Sequence, residues 1–319
     1  MMKALRVSGG ELSLQDISKP SNDGEALVRV LRSGICNTDL EIARGYAGFS
    51  GTIGHEFVGV VESANDRLLI GKRVVGEINA GCGACELCRR GDPRHCPNRT
   101  VLGIHGRDGA HAEFLRLPDV NLIEVPEAVS DNSAVFVEPL AAAFGITEQV
   151  KIESKEKVAV IGDGKLGLLC TRSLSTKCGE ITQLGKHRAK LDLAEKYGNV
   201  TGIMLEDAPA LAREFDIVVE ASGSESGFDT ALNLLKPRGK LVLKSTFHGS
   251  TTWQASRVVV DEITIVGSRC GRFAPALELL STKAVEVEDL ISDELPLSRG
   301  VDAMKHAAEP GVLKVLLTS

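Results

Sequence analysis

Short apolar runs punctuate the chain, and between residues 158 and 267 they alternate with amphipathic stretches of helical length. Runs at 158–161, 181–184, 202–205, 216–220, 239–243 and 263–266 predict strands, and 168–174, 188–197 and 227–235 predict helices between them. A βα series of this kind folds as a doubly wound parallel sheet. The earlier half reads differently. Residues 3–7, 26–32 and 121–125 predict strands, 52–61 predicts a loop entering a strand, and 102–117 predicts a loop and a strand. A helical stretch is expected from 131–134 into V-F-V-E-P-L-A-A-A-F-G at 135–145. Past residue 267, helices are predicted at 273–280 and 300–308 and a strand at 313–317.

The first run of the alternating half, V-A-V-I-G-D-G-K-L-G at 158–167, carries the clearest chemistry. A buried strand that turns on Gly162, Gly164 and Gly167 into a helix N-terminus is a seat for a dinucleotide pyrophosphate. Lys165 and Leu166 complete that turn. At the end of the following strand, where an acid would accept the adenosine ribose hydroxyls of NAD, the chain reads Gly185-Lys186-His187-Arg188. A small residue followed by bases makes room for a 2′-phosphate and neutralises it, so NADP is expected, with NAD as the alternative. Thr246, Phe247, His248 and Trp253 follow a strand where a nicotinamide ring could lie. Lys314 is a candidate for the cofactor pyrophosphate, and Lys244 and Arg269 for phosphate or interface contacts.

Length and composition narrow the setting. A chain of 319 residues fits two domains, and 43% hydrophobic with 25% charged residues is ordinary globular composition. The net charge of −6, with no basic block, gives no nucleic-acid surface. The start of the chain lacks a signal-peptide hydrophobic region and no apolar run reaches membrane-spanning length, so a cytoplasmic location is expected.

Four of the eight cysteines are clustered: Cys82, Cys85, Cys88 and Cys96. Four thiolates on one short lobe wrap a tetrahedral zinc and leave it no open position, so the site is structural; an iron–sulfur centre and free thiols are the alternatives. The nearby Arg89, Arg90, Arg94 and Arg99 read as a solvated face that offsets the thiolates. Cys36, His55 and Glu138 are far apart in sequence but are metal-competent, and three such ligands leave a fourth position open; packed core residues are the bland alternative. Glu138 interrupts an apolar run, which is costly for a carboxylate unless it is paired or bound to metal.

C-N-T-D at 36–39, G-H-E at 54–56, the four-cysteine lobe, V-E-P at 137–139 and the glycine turn follow one another over nearly the whole chain. In that order they resemble the zinc-containing medium-chain dehydrogenase/reductase family. The resemblance implies an α/β protein. A GroES-like, mostly-β catalytic domain would comprise 1–140 together with 270–319, with its zinc lobe at about 80–100. A Rossmann dinucleotide-binding domain would be inserted at 141–269, with the active site in the cleft. It further implies two zinc ions per chain: a structural one on the four clustered cysteines, and a catalytic one on Cys36, His55 and Glu138. Glu56 would sit behind the catalytic zinc and exchange onto it, and Asp39 would orient His55.

The activity implied is reversible hydride transfer between a secondary alcohol, polyol or sugar and NADP, with Thr38 taking the alcohol's proton and passing it by way of the nicotinamide ribose. A glutamate third ligand is similar to the polyol and sugar branches. Two departures stand out. Glu41 replaces the relay histidine of many relatives, and the chain is short between residues 61 and 82. Family members are homodimers or homotetramers, often joined at sheet edges, and 258–267 is apolar enough to supply one. Two competing classes keep the fold: a zinc-independent quinone or enoyl reductase, which would lack the metal ligands, and a catalytically silent nucleotide-binding homologue.

Overall fold

The computed structural model describes residues 1–21, 23–246 and 255–319, so Phe247, His248 and Trp253 lie outside the described residues. The chain divides into two compact units, Met1–Glu138 with Ala276–Ser319, and Pro139–Pro275.

The first unit is mostly β. Its main sheet runs in the order Leu122–Glu124, Arg73–Gly76, Glu56–Ser63, Ala26–Gly34, Lys314–Thr318, Ile291–Pro296, and Phe114–Leu117 also pairs with Ala26–Gly34. Val28, Val30, Phe57, Val61, Val74, Leu115 and Leu117 alternate inward from these strands to make one core. A second core gathers Leu5, Val7, Ile35, Ile42, Ile53, Val315 and Leu317. Beside them, Met2–Ser8 forms a hairpin with Glu11–Ile17, pairing Ser8 with Glu11. The sequence reading missed Glu11–Ile17, which is only half-buried and carries no clean alternation. The Gly9-Gly10 pair was the signal: both residues have positive φ, 58° and 83°, the backbone of a two-residue hairpin turn.

The second unit is a parallel sheet in the order Val200–Met204, Ile181–Gly185, Val158–Ile161, Phe215–Glu220, Leu235–Leu243, Thr264–Gly267. Val158–Ile161 is buried at every position, as a strand covered on both faces must be. The helices Lys165–Ser175, Arg188–Glu195 and Glu225–Leu234 follow the first, second and fourth strands in chain order. This is the Rossmann-type order, and with the mixed β unit it makes the GroES-like plus Rossmann architecture. The stretch 258–267 is not one apolar strand. Helix Ala255–Val260 ends at a turn in which buried Asp261 pairs with Arg213 at 3.0 Å, and the outer strand Thr264–Gly267 begins after it.

Candidate active site

Three neighbouring strand ends build the first cluster. Ala26–Gly34 leads into Cys36, which caps the helix Asn37–Ala43. Pairing of that strand with Glu56–Ser63 sets Gly34 opposite Glu56, and Lys314–Thr318 pairs along its other edge. Cys36, His55 and Glu56 thereby bring a thiol, an imidazole and a carboxylate within 4.8 Å of one another. Thr38 lies on the first turn of the helix, its Oγ1 3.8 Å from Cys36 Sγ.

Asp39 ties this cluster together. One carboxylate oxygen accepts the Cys36 backbone N–H at 2.8 Å; the other accepts that of Gly54 at 3.1 Å and stands 3.4 Å from His55 Nδ1. Burial works against the charge on Asp39, but His55 and His111 outweigh it and hold the carboxyl far below its usual range. Burial likewise works against a charged His55, and Asp39 and then Cys36 overcome it, raising its pKa well above the ordinary value.

The structure differs from expectation at two charged residues. Lys314 is fully buried, with its Nζ paired to Glu56 and 3.4 Å from the Ile35 carbonyl, so the ammonium expected at a cofactor pyrophosphate is spent inside the first unit. Glu138 stays outside the close set of Cys36, His55 and Glu56. It is half-buried, and burial, opposed by His55 and reinforced by Glu56 and Glu77, pushes its carboxyl up to about 7. Glu41 is occupied too, accepting from Arg44 at 2.9 Å.

The second cluster is the cysteine lobe. Cys82, Cys85, Cys88 and Cys96 bring their sulfurs within 4.8 Å of one another. Hydrogen bonds from backbone N–H groups pull the Cys82 thiol down to about 6, whereas burial and the neighbouring sulfurs push Cys88 up to about 11. Four thiols so close, with opposed preferences for the proton, are what a thiolate-binding cation would resolve. The arginines expected as a plain solvated face also brace the lobe: Arg90 pairs with Glu86, Arg94 with Asp92, Arg89 donates to the Ala84 carbonyl and Arg99 to that of Cys96.

In the second unit the glycine turn has the shape of a phosphate cradle. Gly162 has φ +112°, and a Cβ there would lie 2.6 Å from the Ala221 carbonyl oxygen. On Gly167 a Cβ would strike the Gly162 carbonyl, whereas in front of Gly164 nothing stands within 4 Å. Gly164 also caps helix Lys165–Ser175 without a side-chain hydrogen bond, leaving N–H groups of its first turn for a ligand. Lys244 is buried, donating to Ser268 Oγ at 3.2 Å and the Arg269 carbonyl at 3.1 Å.

Comparison with known proteins gives the family. The alcohol dehydrogenase GroES-like domain matches residues 22–127 and the zinc-binding dehydrogenase domain matches 169–282, together more than two thirds of the chain. A sorbitol dehydrogenase of Halalkalibacterium halodurans is 29% identical over 331 residues, covering 97% of this chain and 96% of its own. Among solved structures, a zinc-binding dehydrogenase of Sinorhizobium meliloti 1021 bound to NADP superposes with TM-score 0.91 at 27% identity, covering 100% of this chain and 99% of its own. The alcohol dehydrogenase RspB of Escherichia coli CFT073, in complex with NADH, does so at 0.90 and 27%, with the same coverage.

The chain belongs to the zinc-binding, medium-chain dehydrogenase/reductase family.

For a dehydrogenase/reductase of this family the donor sets suit the groups the fold implies. Glu56 Oε1 is buried with no hydrogen-bond partner beside a thiol and an imidazole, a donor set that suits a cation. With Nδ1 of His55 turned to Asp39, Nε2 is left for the metal. Sequence reasoning missed the residue behind Asp39. Fully buried His111 lies with Nε2 3.5 Å from Asp39 and Nδ1 2.9 Å from Ser33 Oγ, so the carboxylate sits between two imidazoles. A Cβ on Gly54, whose φ is +96°, would meet the His111 ring at 2.5 Å, which explains the glycine of G-H-E. A histidine within the otherwise small-residue run G-A-H-A was the available signal. Replacing Asp39 with asparagine in this dehydrogenase/reductase is expected to weaken zinc at the first cluster about 10–100-fold, measured by competition with a chromophoric chelator. Unchanged affinity would remove Asp39 as the group that orients His55.

Proposed function

We propose that this protein interconverts a secondary alcohol, polyol or sugar with its carbonyl, using zinc and NADP. The observation that carries this reading is the meeting of Cys36, His55 and Glu56 beside the Thr38 hydroxyl. When bound, zinc supplies the electrophile that lowers the alcohol's pKa, and the dinucleotide takes or gives the hydride. Cys36 and His55 would hold the metal with Glu138 as third protein ligand, and Glu56 would be available as an exchanging ligand. Support for Glu138 comes from its carboxyl, which burial pushes to about 7 and which a divalent cation would ionise. Thr38 receives the substrate proton at Oγ1 as its own hydroxyl proton passes on toward the nicotinamide ribose, Asp39 fixes the His55 ring, and Lys314 balances Glu56.

A polyol or sugar is favoured by a glutamate ligand, with the sorbitol dehydrogenase relative as further support. NADP is favoured because the strand Ile181–Gly185 ends without an acid of its own and is followed by exposed Lys186 and His187. One observation favours NAD as a second reading: the Asp163 carboxylate lies at that same strand end, its Oδ2 2.8 Å from the Lys186 backbone nitrogen. Glycine-turn contacts come from Gly162, Gly164, Lys165, Leu166 and Gly167. We also propose a homodimer or homotetramer joined through the outer strand Thr264–Gly267, and a cytoplasmic setting. Among the described residues no helix is long and apolar enough to cross a membrane.

Initial rates of the zinc-replete protein with secondary alcohols, polyols and aldoses, with NAD and NADP side by side, test this reading. Turnover of a polyol or sugar with NADP preferred is the expected result. NAD preference would overturn the phosphate argument alone, and no turnover across the panel with both metal sites filled would favour the silent homologue.

A further inference from the structure

We propose that Asp163, the second residue of the glycine turn, is a positioning residue that aims Lys186 and His187 at the 2′-phosphate of NADP, and that Arg188 takes no part. This inference rests on the NADP reading above and adds how the phosphate would be recognised.

The Asp163 side chain leaves the turn and crosses to the end of the neighbouring strand. Its Oδ2 accepts the backbone N–H of Lys186 at 2.8 Å and of His187 at 2.7 Å, and lies 2.9 Å from His187 Nδ1. Three donors converge on one carboxylate oxygen of a side chain that is 11% exposed. A carboxylate so engaged is a tie between two loops, and little of its hydrogen-bonding capacity remains for ribose hydroxyls.

Gly185 supports the same assignment. A Cβ at that position would lie 2.6 Å from Asp163 Cβ and 2.8 Å from its Cγ. The strand end therefore cannot carry a side chain while Asp163 occupies that space, and the usual acid of an NAD site is sterically excluded. The glycine that looked like room for a phosphate is in the first place room for Asp163.

The basic residues are then unequal. Arg188 Nε binds Asp192 at 2.7 Å, Nη1 donates to the Gly202 carbonyl at 3.2 Å, and Nη2 pairs with Glu195. All three sides of this guanidinium are occupied along its own helix and the next strand. Lys186 is exposed and, among the described residues, pairs with no carboxylate. The His187 side chain is 53% exposed, and with Nδ1 on Asp163 its Nε2 is the free end of the ring. Lys186 and His187 thus remain for a dianionic phosphate, held in register by the backbone hydrogen bonds to Asp163.

Fluorescence titration of NADPH and NADH onto the wild-type protein and the variants Asp163→Ala, Asp163→Asn and Lys186→Ala tests the proposal without turnover. Wild type should favour NADPH. Asp163→Ala and Lys186→Ala should each weaken NADPH about tenfold, the scale of one charge-assisted hydrogen bond, and change NADH less than about twofold. Asp163→Asn keeps an oxygen for the two backbone N–H groups and should recover part of the loss. If Asp163→Ala weakens NADH and spares NADPH, Asp163 is a ribose acceptor and the proposal is overturned. Equal loss of both dinucleotides would reduce it to a structural residue of the turn. A wild type that favours NADH overturns the NADP reading and this proposal together, whereas either failure in a wild type that favours NADPH overturns the proposal alone.

Discussion

If both metal clusters take zinc, a Cys96→Ser variant is expected to bind one zinc ion fewer per chain than the wild type and to lose most of its soluble yield. Between Gly81 and Arg99 only Cys96 is fully buried, so this segment has almost no apolar core of its own. Its fold is then supplied by metal ligation, which in small four-ligand sites is worth roughly 10–16 kcal/mol at neutral pH. Removing one thiolate leaves three ligands and an unprotected lobe. Metal analysis and thermal unfolding of the wild type and the variant would check this. A variant that retained two zincs per chain and its full melting temperature would show that the four cysteines are not a closed structural site.

The second large effect is expected at His55. Changing it to alanine removes the imidazole from the Cys36–His55–Glu56 set while leaving the cysteine lobe and the glycine turn untouched. Loss of the metal's electrophilic assistance, several kcal/mol, should lower kcat/KM by at least about 10³-fold. Dinucleotide affinity should stay close to wild type, because the nucleotide unit has its own core around Ile161, Leu184, Val218 and Leu241. Near-normal turnover in a protein carrying one zinc would remove this cluster from the chemistry.

Much of this architecture could be read in the chain because its signals are local. The cysteine spacing closes a lobe within fifteen residues, and V-A-V-I-G-D-G-K-L-G sets strand, turn and helix side by side. What escaped depends on partners remote in sequence. Lys314 looked like a cation available to a phosphate, and only sheet pairing across 258 positions reveals Glu56 as its counter-ion. The strand Leu235–Leu243 starts earlier than expected, because K-P-R-G at its beginning has the composition of a loop while Leu235 still pairs with Phe215. At the cofactor end, inspection of the residues after the second strand found no acid. The carboxylate there comes instead from Asp163, twenty-three positions before Lys186.

The discontinuous first unit has a consequence for synthesis on the ribosome. Lys314–Thr318 occupies the slot between Ala26–Gly34 and Ile291–Pro296, and it emerges only after all of Pro139–Pro275. Until then the Arg32–Gly34 end of the strand Ala26–Gly34, beyond the part covered by Phe114–Leu117, presents a short open edge, a template for pairing with other nascent chains. Glu56 meanwhile lacks the ammonium that balances it in the finished fold. The nucleotide unit can therefore mature first, while the metal-binding strands wait for a closing piece 279 positions away. A translational pause just before residue 314 would prolong the interval in which this protein is most exposed to aggregation and to capture of the wrong metal.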